Sequence, residues 1–164
     1  MKLYITGSVA SGKSTLARKL SEVTGVACTH LDELMYEVDP ESSWGNRRRN
    51  EAERDACFAE ILSQESYIIE DCGRRCFRRG MEEADQVILL DLPLSLRYRR
   101  ILLRWLKQNL GIEHCIYKPN WRMLRTMFGW AKEFDPAEFS QYEDKLTVLK
   151  NDREINRFIK ELQA

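Results

Sequence analysis

The sequence predicts an α/β fold in which a parallel sheet carries helices on both faces. Three observations predict it. Short apolar runs alternate with longer amphipathic stretches along the 164 residues, the pattern of repeated strand–helix units. The run Val87-Ile88-Leu89-Leu90 is apolar without alternation, as a strand covered on both faces must be. A glycine-containing loop, Gly7 to Ser14, separates the first strand from the first helix, and ligands on such sheets sit at the carboxyl ends of the strands. The length fits one domain, residues 1–164, large enough to bury a core without disulfides or metals.

The elements follow in order. Leu3-Tyr4-Ile5 reads as the first strand. From Lys13, the apolar residues Leu16, Ala17, Leu20 and Val23 recur every three to four positions and stop at Gly25, which makes an amphipathic helix. Val26 to Leu31 reads as the second strand, after which Asp32 either serves a ligand at the strand end or caps a short helix over 33–37. A charged helix is expected over Asn46–Leu62, with its apolar stripe at Ala52, Cys57, Phe58, Ile61 and Leu62. Tyr67-Ile68-Ile69 and Val87–Leu90 are the third and fourth strands. Helix returns over Leu94–Leu106, periodicity is lost over 107–120, and helix resumes near Trp121. Leu146–Leu149 is the last strand and Asp152–Leu162 the last helix.

Composition excludes several classes. Lys plus Arg is 26 and Asp plus Glu is 26, whereas a protein that wraps duplex DNA is usually basic, so direct nucleic-acid binding is not expected. No apolar run approaches the roughly 18 residues of a membrane helix, so no membrane partner is expected. The apolar N-terminal segment reaches Gly7 too soon for a signal peptide. Five cysteines, Cys28, Cys57, Cys72, Cys76 and Cys115, are an odd set without a secretion signal, which predicts reduced thiols in a cytoplasm. The only histidines, His30 and His114, are too scattered from Cys72 and Cys76 to complete a zinc site.

Gly7-Ser8-Val9-Ala10-Ser11-Gly12-Lys13-Ser14 fits G-x-x-x-x-G-K-[ST] at each fixed position, after a strand and before a helix. The glycines let successive N–H groups of Gly7, Ala10, Ser11, Gly12, Lys13, Ser14 and Thr15 face inward as an anion nest. The helix N-terminus adds its dipole, Lys13 reaches the β- and γ-phosphates, and Ser14 offers a hydroxyl to Mg²⁺. ATP and Mg²⁺ are the expected ligands. A GTPase would carry N-K-x-D late in the chain, and Lys150-Asn151-Asp152 is not that motif. An AAA-type ATPase would need sensor elements and more chain.

Acids end the other strands. Asp91 closes an apolar strand and is a candidate Mg²⁺ ligand or a cap for the helix after Pro93. Asp32 is a candidate to face an acceptor, and Glu70 or Asp71 is expected to face the phosphate loop. Arginine outnumbers lysine, 17 to 9. Arg47–Arg49 and Arg74, Arg75, Arg78 and Arg79 form two clusters. Arg97, Arg100 and Arg104 share a helical face, and residues 97–125 carry eight Lys or Arg against one acid, Glu113. Guanidinium groups pair with phosphate oxygens, so that face is a candidate lid over the transferring phosphoryl group. Trp44, before the first cluster, is a candidate platform for an acceptor base.

Ile5-Thr6-Gly7 with Ser11 to Leu20, then His30-Leu31-Asp32, Trp44, Tyr67-Ile68-Ile69-Glu70 and the run Ala84 to Pro93 together resemble the DNA topology modulation proteins, a branch of the adenylate-kinase-like P-loop kinases. The resemblance covers roughly residues 2–160. It implies a three-layer α/β/α P-loop NTPase fold with a five-stranded parallel sheet in the order 2-3-1-4-5. It also implies ATP with Mg²⁺, an acceptor-binding helical region near 35–60 and a helical lid near 100–120. Gly7, Gly12, Lys13, Ser14 and Thr15 then bind nucleotide, Arg100 and Arg104 belong to the lid, and Asp32 is the acceptor-side carboxylate. One departure matters: the family pattern has glycine directly after the acid of the third strand, and this chain reads Glu70-Asp71-Cys72-Gly73.

Two functions follow. The first is a small kinase that moves the γ-phosphoryl group of Mg-ATP to a nucleotide or small-molecule acceptor. Lys13, Arg100 and Arg104 would stabilise that group and Asp32 or Glu70 would orient the acceptor. The second is a regulatory protein in which ATP orders the lid and exposes a partner surface, with slow hydrolysis only. Convergence of carboxylates and arginines on the strand ends favours the kinase.

Overall fold

The structure is a computed structural model and describes residues 1–115 and 117–163. Ile116, inside the expected lid, and Ala164 lie outside the described residues. The elements run β1 (Lys2–Gly7), α1 (Lys13–Thr24), β2 (Cys28–His30), α2 (Leu31–Met35), β3 (Tyr36–Val38), β4 (Asn46–Arg48), α3 (Glu51–Leu62) and β5 (Tyr67–Glu70). They continue with α4 (Arg78–Glu83), β6 (Gln86–Leu90), α5 (Leu94–Asn109), α6 (Trp121–Glu133), β7 (Leu146–Leu149) and α7 (Asp152–Glu161).

Five strands form one sheet in the order β2-β5-β1-β6-β7, and all four pairings are parallel. Counted over this sheet alone, the order is the expected 2-3-1-4-5. Apolar residues of alternate parity feed two cores, because successive side chains point to opposite faces. Tyr4, Ile69, Val87 and Leu89 pack with α2, α3 and α4 through Leu31, Phe58 and Met81. Leu3, Ile5, Ile68, Ile88 and Leu90 pack with α1 and α7 through Leu16, Leu20 and Phe158. A third cluster, Ile101, Met123, Leu124, Met127 and Ala131, joins α5 to α6 above the loop residues Val9 and Ala10.

The expected helix over 46–62 is corrected. Residues 46–48 instead form β4, antiparallel to β3, with Glu37 opposite Arg47 and their side chains paired at 3.0 Å. The helix begins at Glu51 because Asn50 is its cap: the Asn50 side chain accepts from the Ala52 amide at 2.9 Å. The short helix after the second strand starts at Leu31, not at residue 33. Two further pieces complete the core that contains Tyr4. A 3₁₀ turn over Arg75–Phe77 leading into α4 contributes Phe77 and Met81, and a 3₁₀ segment over Pro136–Tyr142 contributes Phe139 and Tyr142.

Replacing Asn50 by Ala removes the α3 cap. Urea unfolding of this variant is expected to show a loss of about 1 kcal/mol; unchanged stability would mean that the side chain does not cap.

Candidate functional site

β1 ends in a loop that only unusual backbone can make. Gly7 has φ +146°, and a Cβ there would stand 2.7 Å from the Leu90 carbonyl oxygen of β6. Ala10 is left-handed at φ 58°, a sparsely populated conformation outside glycine that is found at ligand clamps. The Ser8 and Ser11 hydroxyls are buried and have no partner among the described residues. Buried polar atoms are nearly always bonded, so both hydroxyls are left to a partner such as a water or a ligand group. Lys13 Nζ donates to the Ser8 carbonyl at 2.9 Å, which lays its ammonium across the loop.

Glu70 stands beside that loop. Its side chain is 8% exposed and has three partners. Ser14 Oγ donates to Oε2 at 3.1 Å, His30 Nδ1 lies 2.8 Å from Oε2, and Lys13 Nζ lies 3.7 Å from Oε1. Burial alone would raise the Glu70 pKa. The His30 hydrogen bond, the Lys13 and His30 charges and the Ser14 hydroxyl outweigh it and hold the carboxyl below its ordinary range. Reciprocally, the bond to Glu70 raises His30, against the opposing effect of its burial.

The remaining acids separate by position. Asp71 is 0% exposed at its side chain and is consumed by its own turn. It accepts from the amides of Gly73 at 2.8 Å and Arg74 at 2.6 Å and from Tyr4 Oη at 3.3 Å, and it pairs with Arg74. Asp32 is 61% exposed at its side chain, faces the cavity described below and pairs with the other end of the Arg74 guanidinium. Asp91 lies outside the cavity lining, on the far side of β1 from β5, and its amide donates to the Leu149 carbonyl at 3.0 Å. Thus Glu70, and not Asp91, meets the Ser14 hydroxyl. The displaced glycine has a location too: Gly73 takes φ +91°, with a hypothetical Cβ 2.7 Å from Phe139, so the tight turn after β5 is made two residues beyond Asp71.

Arg100 and Arg104 of α5 both reach the cavity. Arg100 donates to the Ser11 carbonyl at 3.0 Å and to Asp152 at 3.0 Å, and Arg104 donates to Glu113 at 2.8 Å. Arg97, on the same expected face, turns away: it is buried and donates to the Ala131 carbonyl at the end of α6 at 2.9 Å. Lys150, Asn151 and Asp152 do not line the cavity; Asn151 caps α7 by accepting from the Glu154 amide at 3.0 Å.

Opposite the phosphate loop stands the β3–β4 hairpin, clasped to the segment that leads into α6. The Lys118 amide donates to the Trp44 carbonyl at 2.8 Å and Lys118 Nζ to the Ser42 carbonyl at 2.7 Å. The Arg122 guanidinium sits 4.4 Å over the Trp44 ring, occupying a face the sequence reading reserved for an acceptor base.

These parts line one cavity of about 1620 Å³ that runs from the phosphate loop to the hairpin. Single drug-sized ligands take about 300–1,000 Å³, so this space suits two. Its lining carries nine Lys and Arg against five Asp and Glu, an excess that attracts anions. His30, Arg74 and Arg122 are among the lining residues to which sequence reasoning assigned no individual role.

Comparison with known proteins now has a geometry to meet. A family model described as an AAA domain matches residues 3–110. A cytidylate kinase of Methanothrix thermoacetophila is 31% identical over 127 residues, which cover 71% of this chain and 69% of that protein. The chain belongs to this family of P-loop kinases. The fold of this P-loop kinase is also that of deoxyadenosine kinase from M. mycoides with bound dATP, at TM-score 0.57 and 15% identity over 100% of both chains. Shikimate kinase from Bacteroides thetaiotaomicron matches at TM-score 0.56 and 13% identity over 99% of this chain and 96% of that one. The segment matched by the AAA-domain model runs from β1 through α5.

Two outcomes test the site as built. His30→Asn keeps a donor near Nδ1 without a charge. Because the folded protein raises His30, its charge stabilises fully below the ordinary value of about 6.5 and loses that effect as pH rises through the elevated value. The effect also fades as pH falls through the lowered Glu70 value. Urea unfolding across pH is expected to show wild type ahead of His30→Asn only between those limits. Arg122→Ala is expected to speed amide exchange over residues 39–46 about twofold or more, as loss of about 0.5–2 kcal/mol of cation–π attraction requires; unchanged exchange would show the clasp to be idle.

Proposed function

We propose that the protein is a small kinase that transfers the γ-phosphoryl group of ATP to an acceptor of the nucleoside monophosphate class. One observation carries the reading: a phosphate loop and a cationic, aromatic hairpin face each other across a single cavity large enough for a donor and an acceptor. The sequence relative supports cytidine monophosphate as the first acceptor to try. An acceptor that is itself a phosphate needs cations more than a general base, and Arg47, Arg48 and Arg74 line that end.

The residues divide the work. The nest of Gly7 to Thr15 holds the phosphate chain, and Lys13 turns from the Ser8 carbonyl to the β- and γ-oxygens. Arg100 and Arg104 bring guanidinium groups to the charge that spreads over the transferring group. Asp32, held by Arg74, orients the acceptor from the hairpin side.

The oxygens available to Mg²⁺ are Ser14 Oγ and the Glu70 carboxylate, 3.1 Å apart beside the loop. Among the described residues no group of three or more His, Cys, Asp or Glu is placed to hold a metal. One or two protein oxygens completed by substrate phosphates is the usual Mg²⁺ arrangement, so the donor set fits. Bound there, Mg²⁺ would neutralise and polarise the β- and γ-phosphate oxygens.

The finer family assignment, a topology modulation protein, and a cytoplasmic location belong to the same proposal. His30-Leu31-Asp32 and the Ala84–Pro93 run support the first. No helix among the described residues is long and apolar enough to cross a membrane.

The test is Mg²⁺-dependent ATP turnover against a panel of nucleoside monophosphates, nucleosides and hydroxylated metabolites, with Lys13→Ala as the blank. Cytidine monophosphate or a close relative is expected to raise turnover at least about 100-fold over the acceptor-free rate, and Lys13→Ala to abolish the gain. A flat panel with ATP still bound would replace the kinase with a nucleotide-dependent regulatory protein.

A further inference from the structure

Glu70 and His30 are register partners on adjacent strands: β2 pairs with β5 so that His30 lies opposite Glu70. Both strands end there, at the edge that carries the phosphate loop. The imidazole is held at both nitrogens, with Nδ1 2.8 Å from Glu70 Oε2 and Nε2 4.0 Å from Cys28 Sγ. Cys28 is two residues earlier on the same strand face and packs against the core under α1. The ring is therefore anchored to the sheet and to nothing that moves with the lid.

The other two partners of Glu70 are different in kind. Lys13 and Ser14 belong to the phosphate loop, and both are claimed by the donor nucleotide in the reaction proposed above. Lys13 Nζ must swing from its 2.9 Å bond with the Ser8 carbonyl toward phosphate. The Ser14 hydroxyl, now donating to Glu70, turns a lone pair to the metal and moves with the loop as it does so. Once Lys13 turns away, His30 is the one of the three partners that stands outside the phosphate loop. A buried carboxylate without a partner swings or takes up a proton rather than remain exposed to that cost.

We infer that His30 is a positioning residue, whose Nδ1–H holds the Glu70 carboxylate in place at the Mg²⁺ side of the phosphate loop while Lys13 and Ser14 are drawn to the nucleotide. The inference rests on the kinase reading for its reaction, but its geometry concerns only nucleotide and metal. His30 touches neither: it acts through Glu70, as outer partners of metal-side carboxylates do.

The experiment measures ATP affinity calorimetrically with Mg²⁺ and with EDTA, for wild type, His30→Ala, His30→Gln and His30→Asn. Asn places its amide nitrogen near Nδ1, whereas Gln fills the ring's volume but carries its nitrogen toward the Nε2 position. The expected result is ATP affinity in EDTA within about twofold of wild type for all three. The gain conferred by Mg²⁺ falls about 10- to 100-fold in His30→Ala and His30→Gln, the usual cost of losing an outer partner, and returns to within about threefold in His30→Asn. Where an acceptor is in hand, kcat follows the same order with little change in the acceptor KM. His30→Gln, equal in bulk, guards against a variant that merely fails to fold. Equal loss with and without Mg²⁺ would make His30 a support for the loop alone and overturn the inference, as would an unchanged Mg²⁺ gain in both His30→Ala and His30→Gln or a His30→Asn no better than His30→Ala. Wild-type protein that binds ATP equally with and without Mg²⁺ overturns the Mg²⁺ site itself, and the inference with it. Mg²⁺-dependent ATP binding that follows the expected order with no acceptor found would leave His30 in its role and remove only the kinase.

Discussion

Parallel pairing of β1 between β5 and β6 is the constraint from which the site follows. It aligns Ile5 with Glu70 on one side and with Ile88 on the other, and Gly7 with Leu90. Parallel strands all end at the same edge, so the phosphate loop, His30, Glu70 and the turn that carries Arg74 emerge together without any long-range device to gather them. The approach of β1 to β6 is close enough that only glycine fits at position 7. Packing and chemistry are thus set by one register, and a slip of one residue would turn every side chain to the opposite face.

Electrostatics completes what the register begins. A carboxylate at a buried strand end is expensive in isolation, and Glu70 is kept ionised by three donors. Lys13 and Ser14 belong to the phosphate loop and move with it, whereas His30 is fixed on β2. Asp71 serves a structural purpose, as the acceptor that folds the 71–74 turn and fixes Arg74. Arg74 in turn reaches Asp32, so a chain of alternating charges runs from the buried turn to the cavity. The lid is held differently, by Arg100 on the Ser11 carbonyl and by the Lys118 and Arg122 contacts to the hairpin. These are exposed or half-exposed bonds, the kind that open at low cost.

What was legible in the sequence was local or periodic. The phosphate loop is contiguous, and the strand and helix patterns around it repeat on their own periods, so the strands, the loop and the cavity arginines at 100 and 104 follow from short stretches, whereas the sheet order follows from the family resemblance. The choice between Glu70 and Asp71 depends on which face each points to, and that is a matter of tertiary parity. Ile68 lies on the α1 face, so Glu70, two residues on, points to Ser14, and Asp71 points to Tyr4 on the other face. That parity was available as a signal once α1 was placed over Ile68. The β3–β4 hairpin escaped because its strands are three residues each, too short to establish a period of two. Arg97 was grouped with Arg100 and Arg104 by spacing, but the α6 carbonyl of Ala131 draws it inward. His30 stood in the most distinctive motif and received no role, since its partner is 40 residues away in sequence.

The central claim is that one cavity holds donor and acceptor together, end to end, across Lys13 and Glu70. The most direct measurement is calorimetric titration with a two-headed ligand in which adenosine and cytidine are joined through a five-phosphate bridge. One ligand per chain, bound at least about 100-fold more tightly than ATP or cytidine monophosphate alone and lost in Lys13→Ala, is the result this account predicts, because linking two occupied subsites makes the second contact intramolecular. Affinity no greater than that of ATP alone would contradict it.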